Sequence, residues 1–570
     1  MEDKQDIKIL RHSAAHLLAH ALSELYPDIK LTIGPATEEG FFYDVLPKQN
    51  LKEEDLERIE QRMHELAQKD FKLTHKEISK EEARRIFKDN PFKLELIDQI
   101  PGDTVGLSIQ GDFQDLCRGG HVASTADIKH FKLLGISGSY WRAERTNQAL
   151  QRIHGTAFFT QKELDDFLLR REELQKYDHR RLGKQMDLFS FQEEAVGFPF
   201  FHPKGKRIMN VLLKYMRKLH DEYNYQEVAT PTLLNDELWR RSGHYAHYKE
   251  NMYFSCVDEQ SYAIKPMNCP GAILIYKNRP RSYRELPLKL AEFGYVHRHE
   301  LSGVLHGLLR VRAFTIDDAH IFCTVDQIEH EILTILRIVF KVLQKCGFKN
   351  IHLALSTKPE KAMGSDETWQ KAIGALKTAL DTFGFPYTVK EGEGAFYGPK
   401  IEIRVQDSMG REWQCSTVQV DFLMPENFDL EYVSSQGSYE RPVIIHQAIY
   451  GSLERFFAVL LEHYKGHLPF WLAPVQARIL TITDEQRPYA ATILQALKDH
   501  EIRAELDMSS DPISGKIKTA QLDKVPWMIV IGQKEADNTT LSLRTSDGKQ
   551  QLGLSLDELL KQADVLNTLE

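Results

Sequence analysis

Residues 290–322 read LAEFGYVHRHELSGVLHGLLRVRAFTIDDAHIF. Two apolar runs flank a polar, glycine-bearing loop, which is the pattern of two strands joined by a turn. Arg298, Glu300, Arg310 and Arg312 crowd the loop, and Asp317, Asp318 and His320 follow it. Arginine suits phosphate because its rigid fork makes paired, charge-assisted bonds. A carboxylate beside it can orient an adenine amine, a ribose or a metal. The alternation Arg310-Val311-Arg312 predicts both guanidinium groups on one strand face. The competing reading is a surface hairpin laced with ion pairs.

Two further segments flank this hairpin. Upstream, Lys265-Pro-Met-Asn-Cys269-Pro constrains the chain around one cysteine, a residue that more often serves as a small buried hydrophobe. Downstream, residues 440–456 read ERPVIIHQAIYGSLERF, an apolar strand running into a helix expected to contain Gly451 and Ser452. Glycine inside a helix implies close packing or ligand approach. Arg455, nine residues beyond His446, can meet an anion. The plainer alternative is a core helix with a solvent-facing arginine. Neither GxGxxG nor GxxxxGK[ST] occurs, so any use of ATP is of neither dinucleotide-fold nor P-loop type.

Residues 1–178 read as one module with an arm. The spacing predicts helices over 10–25, 51–70 and 76–89, short strands and turns over 91–122, and a charged linker helix over 161–184. A second module, 179–469, opens near Met186–Ser190 and carries an amphipathic helix at 205–223 and a strand at 225–231. Helices at 327–345 and 368–383 flank strands at 351–355, 387–390, 401–405 and 412–421, an α+β arrangement. Residues 470–570 alternate buried strands (473–484, 525–532) with helices, an α/β unit. That unit holds 11 Lys+Arg against 15 Asp+Glu, so charge alone would not make it an RNA binder.

The whole chain has 570 residues, 42% hydrophobic and 27% charged, enough for several cores. The formal net charge of −9 weighs against non-specific coating of nucleic acid. Six scattered cysteines without a CxxC pair fit a reducing compartment. No apolar leader or membrane span is read, so a cytoplasmic protein is expected. In the first module, His12 and His16 are spaced i,i+4 on one helix face, and Cys117 and His121 repeat that spacing. Four such side chains suit a zinc site, a hydrolytic or RNA-end pocket, or plain structural histidines.

Taken together, the chain resembles the bacterial-type threonyl-tRNA synthetases, class II aminoacyl-tRNA synthetases, over essentially its whole length. Residues 205–231 resemble class II motif 1, HRHELSG at 297–303 motif 2 and GSLERF at 451–456 motif 3, in the family's order. MNCP, DDAHIF, AFYGPK, EWQCSTVQVDF and VIIHQAI add to the match. The resemblance implies an antiparallel class II sheet with flanking helices, preceded by an α+β editing domain and followed by an α/β anticodon-binding domain. It implies ATP-dependent joining of L-threonine to threonine tRNA, with Mg²⁺ accompanying ATP, in a homodimer formed through motif 1. By resemblance Arg298, Glu300 and Arg455 bind ATP, and Cys269, His320 and His446 hold a catalytic Zn²⁺. Asp318 accepts from the substrate amine, and Tyr397, Gln414 and Gln419 complete the pocket. His12, His16, Lys93, Asp115, Cys117 and His121 form the site that hydrolyses seryl-tRNA, understood in this family to work without metal. Glu535 and Arg544 contact the anticodon.

Some positions depart from the family. Its small N-terminal domain is expected to be missing, since the chain starts eleven residues before His12. Ile316, Ser416 and Gln447 replace common glutamine, glycine and arginine, and LDMSSD at 506–511 lacks the usual basic and amide side chains. The rival reading is an inactive paralogue that senses amino acids or binds RNA. It would be marked by a lost zinc ligand or arginine, and none is lost.

Overall fold

A computed structural model of the chain describes residues 2–144 and 146–568. The chain divides into two compact units, residues 1–173 and 174–570. In the first, helix α1 (Glu2–Leu25) extends beyond the expected 10–25. Leu10, Ala14, Ala15, Leu17, Leu18, Ala19, Ala21 and Leu22 are all buried, so this helix is enclosed on nearly every side. It packs on an antiparallel sheet ordered Lys30–Leu31, Phe41–Leu46, Ala149–Phe158, His130–Tyr140. A smaller antiparallel sheet joins Thr74–Ser79, Thr104–Gln110 and Phe113–Leu116.

The local expectations need correction at three places in this region. Residues 76–89 are not all helical: Thr74–Ser79 is a strand, and helix starts only at Lys80, where the Ser79 side chain caps the Glu82 N–H. Residues 91–122 are not all strand and turn, because α2 (Pro91–Gln99) opens them. The Asn90 side chain accepts from the Phe92 and Lys93 N–H groups at 3.2 and 3.3 Å, and Pro91 fits the first turn. The charged run is two helices, Gln161–Lys176 and α3 (His179–Gln185), parted at Asp178, whose carboxylate caps the Arg180 N–H at 2.8 Å.

The second unit is built on α4 (Cys269–Lys277), β1 (Leu288–His297), β2 (Ala313–Cys323), α5 (Ile328–Lys345), β3 (Glu412–Asp421), β4 (Val443–Ser452) and α6 (Leu453–His463). Its eight-stranded sheet runs Gln226–Glu227, β1, β2, β4, β3, Lys400–Gln406, Ile351–Ser356, Tyr387–Lys390. It is antiparallel except at the outermost pair on each edge. The segment 225–231 contributes only Gln226–Glu227 as strand. Along the regular stretches of these strands, side chains alternate between the two faces. Ala319, Ile321 and Cys323 of β2, Val443 and Ile445 of β4, and Val418 and Val420 of β3 pack under α5 and α6 in one core. The intervening residues, His320, His446 and Gln419 among them, therefore face the other side.

Residues 477–554 form a five-stranded sheet ordered Ala504–Leu506, Ala477–Thr481, Trp527–Ile531, Leu541–Thr545, Gln550–Leu554. It is parallel over its first three strands and antiparallel over the rest, with its own core. No described helix is long and apolar enough to cross a membrane.

The segment leading into α4, and so to Cys269, is tied to the sheet by a buried ion pair. Lys265 Nζ reaches Glu292 Oε1 of β1 at 2.7 Å and donates to Thr230 Oγ1 at 2.9 Å, while Glu292 also accepts the Thr230 N–H at 2.9 Å. Both charged side chains are buried. Lys265→Met leaves Glu292 buried without its cation, at a cost of about 3–5 kcal/mol. Denaturant unfolding followed by tryptophan fluorescence should show that loss; an unchanged midpoint would mean the pair holds nothing in place.

Candidate active site

Strand register assembles the site. His320 of β2 lies directly opposite His446 of β4, which in turn lies opposite Gln419 of β3, so the three side chains stand in a row on the open face. Cys269, the first residue of α4, comes in from above them. One donor atom each of Cys269, His320 and His446 lies within 4.8 Å of the others, and all three residues are buried. They are 51 and 126 residues apart in sequence, a separation that only the sheet closes.

These side chains suit a metal. His320 Nε2 is buried without a hydrogen-bond partner, which is costly for an imidazole that nothing else engages. His446 Nε2 lies 3.0 Å from Asp421 Oδ2, and Asp421 is held by the Leu423 and Met424 N–H groups at 2.7 and 3.0 Å. That leaves the other His446 nitrogen for a ligand, oriented by a carboxylate as metal-binding histidines usually are. Burial pushes the Cys269 thiol well up and His320 well down from their ordinary values. A divalent cation would draw off the thiol proton and takes a neutral imidazole as it stands. One sulfur and two nitrogens match zinc with positions left open for substrate.

A cavity of about 390 Å³ opens beside this group, lined by Cys269 and His446 and also by Arg298, Asp318, Tyr397, Lys400 and Gln419. Asp318 accepts from Asn268 Nδ2 at 3.2 Å and stands 3.8 Å from His320 Nε2; burial pushes its carboxyl up to about 6. Tyr397 donates to Gln419 Oε1 at 2.7 Å, fixing both side chains. A bulge in β3 lets Gln414 donate to Thr417 Oγ1 at 3.3 Å, placing it beside the row and outside the cavity lining. The Arg298 guanidinium lies over the rings of Tyr248 and Phe314, 5.7 and 5.0 Å from their centroids.

Two readings of this region are corrected. Arg310 and Arg312 precede β2 and share no strand face. Arg310 pairs with Glu300 at 3.0 Å, and Arg312 donates to the Glu300 and Val196 carbonyls and to Ser302, so both brace the loop. Gly451 and Ser452 are not inside a helix either. Gly451 sits in a bulge of β4 at φ +73°, where a Cβ would stand 2.6 Å from the Cys415 carbonyl oxygen, and Ser452 caps α6. The bulge frees the N–H groups of Ile449, Tyr450 and Gly451, and Asp317 accepts all three at 2.8–3.1 Å. Glu454 similarly accepts the Thr315 N–H. Sequence reasoning had not singled out Asp421 or Glu454, and no spacing signal points to either. Arg455 lies over the Trp413 ring at 5.8 Å, its buried Nε without a partner.

The first unit holds a separate pocket of about 730 Å³ lined by His12, His16, Tyr43, Lys93, Asp115 and Cys117. His12 Nε2 and His121 Nε2 lie 3.0 and 3.4 Å from Cys117 Sγ, and His16 lies 3.3 Å from Asp115. Asp115 also contacts Lys93 and accepts from Tyr43 at 2.5 Å. Burial opposes ionisation of Cys117, but hydrogen bonds from His12, His121 and His16 outweigh it and lower the thiol to about 3. Burial likewise opposes charge on His16, and Asp115 and Cys117 together raise it to about 9. The four donor atoms of His12, His16, Cys117 and His121 also lie within 4.8 Å of one another.

Of the residues expected at the anticodon, Glu535 is spent locally. It accepts from Ser542 Oγ at 2.8 Å and from the Gly532 N–H at 3.0 Å. Arg544 lies on the strand Leu541–Thr545 with its Nε buried and unpartnered.

Residues 253–464 match the tRNA synthetase class II core domain (G, H, P, S and T), residues 476–564 an anticodon binding domain, and residues 107–154 the threonyl and alanyl tRNA synthetase second additional domain. Fold and site thus define a class II tRNA synthetase core carrying two further domains. The chain is 52% identical to the threonine–tRNA ligase of Acetivibrio thermocellus over 94% of its own length and 85% of that protein. It is 50% identical to the threonine–tRNA ligase of Caldanaerobacter subterraneus subsp. tengcongensis over 98% and 87%. Among solved structures it is similar to the RNA binding domain of threonyl-tRNA synthetase from Cryptosporidium parvum (TM-score 0.66, 43% identity, 68% of this chain and 98% of that one). The chain belongs to the threonine–tRNA ligase family.

The first pocket makes a pH prediction. With its thiol lowered to about 3, Cys117 is already thiolate above that pH. Its alkylation by iodoacetamide should stay flat from pH 5 to 8, as mass spectrometry of the Cys117 peptide would show. A free thiol instead gains about tenfold per pH unit over that range, and such a rise would disprove the pairing.

Proposed function

We infer that this chain joins L-threonine to threonine tRNA through a threonyl-adenylate and hydrolyses seryl-tRNA formed in error. The observation that carries this reading is the buried Cys269–His320–His446 group beside Asp318. Those three residues would hold Zn²⁺, which supplies open coordination positions for the amino group and hydroxyl of threonine. Asp318 accepts from the substrate ammonium. The Tyr397–Gln419 pair bounds the side-chain end, and Gln414 supports it from outside the cavity lining through Thr417.

ATP enters with Mg²⁺. Arg298, over the Tyr248 and Phe314 rings, meets the α-phosphate, with Glu300 beside it, and Arg455 meets the far end of the triphosphate. The threonine carboxylate attacks the α-phosphorus in line and pyrophosphate leaves. The terminal adenosine hydroxyl of the tRNA then attacks the adenylate carbonyl and AMP leaves. Positioning and fixed charge account for both steps, with no strong general base needed. Residues 470–570 would read the anticodon, and residues 205–231 would form the homodimer contact.

Valine lacks the hydroxyl that the site is built to bind, and a buried polar site rejects such an analogue by about 10⁴-fold or more. Serine keeps the hydroxyl and lacks one methyl, worth roughly 1–3 kcal/mol. A second, hydrolytic site is therefore required. The pocket of His12, His16, Lys93, Asp115, Cys117 and His121 supplies imidazoles and a cation to position water at the seryl ester.

ATP–pyrophosphate exchange should be strong with threonine, weaker with serine and almost absent with valine. An enzyme silent with threonine would refute the ligase reading. His12→Ala should keep threonine exchange while losing hydrolysis of seryl-tRNA by on the order of 10²-fold. Full hydrolysis by that variant would remove the editing assignment.

A further inference from the structure

Besides the two His/Cys groups, Asp178, His179 and Glu462 form a histidine–carboxylate cluster outside both pockets. His179 opens α3 within the charged run that the sequence offered only as a linker. Its imidazole is fully buried, and both ring nitrogens are engaged. Nδ1 lies 2.6 Å from Glu462 Oε1, which also accepts the His179 backbone N–H at 2.9 Å. Nε2 lies 3.0 Å from the backbone nitrogen of Leu308. A backbone N–H can only donate, so Nε2 carries the lone pair and Nδ1 the proton. No donor atom of this ring is left for a metal.

The contacts join two arms of the active site. Leu308 lies on the loop between Arg298 and β2, with Leu308 itself buried and residues 301–304 exposed. Glu462 lies in the last turn of α6, the helix whose first turn bears Arg455. Its other oxygen contacts Arg411, which pairs with Asp407 at 2.7 Å. Asp407 accepts from Trp413 Nε1 at 2.8 Å, and Trp413 is the ring beneath Arg455. The approach of loop to ring is close: Gly307 has φ +48°, and a Cβ there would stand 2.1 Å from His179 Nε2.

We propose that His179 is a positioning residue for ATP, accepting the Leu308 N–H so that the Arg298–Glu300 loop is locked to the helix bearing Arg455. The proposal rests on the assignment of those residues to ATP. Without the ring nitrogen, the buried Leu308 N–H has no partner and the loop must shift to satisfy it.

Two amides separate the contacts. His179→Asn can place its NH₂ near the Nδ1 position, keeping the bond to Glu462 and losing the acceptor for Leu308. His179→Gln can place an oxygen near Nε2 and keep the acceptor. In ATP–pyrophosphate exchange by the full chain, H179N should raise KM for ATP on the order of tenfold or more while leaving KM for threonine unchanged. H179Q should stay close to wild type. An unchanged KM for ATP in H179N, or equal losses in both variants in step with lowered melting temperatures, would overturn the proposal. If neither variant folds, Gly307→Ala tests the same contact from the loop side, and an unaltered KM for ATP there would also overturn it. Failure of wild type to exchange with threonine would refute the ligase reading itself, whereas a wild type that exchanges, with insensitive variants, refutes only the role of His179.

Discussion

The second unit depends on the register of β2 against β4 and of β4 against β3. Because side chains alternate, a slip of one residue would send His320 under α5 and bring Ala319 or Ile321 to the cavity. Two things hold the register. The apolar partners Ala319, Ile321, Val443, Ile445, Val418 and Val420 belong in one core and leave it only by exposure to water. Asp317 collects three N–H groups that the β4 bulge leaves without ladder partners, and only this alignment brings them to one carboxylate. The bulge in turn needs Gly451, because the Cys415 carbonyl occupies the space a side chain would take.

The two pockets use burial in opposite ways. In the first unit, Lys93, Asp115, His16 and Cys117 neutralise one another through short contacts, so charged forms persist inside a buried cluster. Such a set arrives already polarised, which suits activating water at an ester. In the second unit, Cys269 and His320 are driven toward neutrality by burial. That arrangement is incomplete by itself and suits a cation from outside, metal or substrate amine.

Much of the fold was legible because long elements bury one face. The helices at 328–345 and 366–383 and the strands at 400–406 and 412–421 fall within a residue or two of the positions their apolar spacing implies. The misread elements lack that signal. Thr74–Ser79 buries only Ile78, so nothing in its pattern separates strand from helix. Pro91–Gln99 is a nine-residue helix set by an Asn cap and a proline rather than by a stripe. Arg310 and Arg312 alternate like strand residues but lie on irregular backbone, where alternation carries no meaning. His179 sits in a run of charges that looks solvated and is in fact fully buried.

By itself the sequence determined the kinds of groups present: arginines in a glycine-bearing loop, a cysteine between prolines and paired His/Cys spacings. Its local pairs could be read because four-residue spacing on a helix is itself a statement about space. It could not bring Cys269 to His320 and His446, nor Leu308 to His179, without the family resemblance or the fold. Those meetings are made by strand pairing and helix docking, whose partners are chosen by burial of apolar faces far along the chain. Distance in sequence carries no information about such contacts, so only the tertiary structure decided which side chains stand together and which, like Arg312, brace a loop.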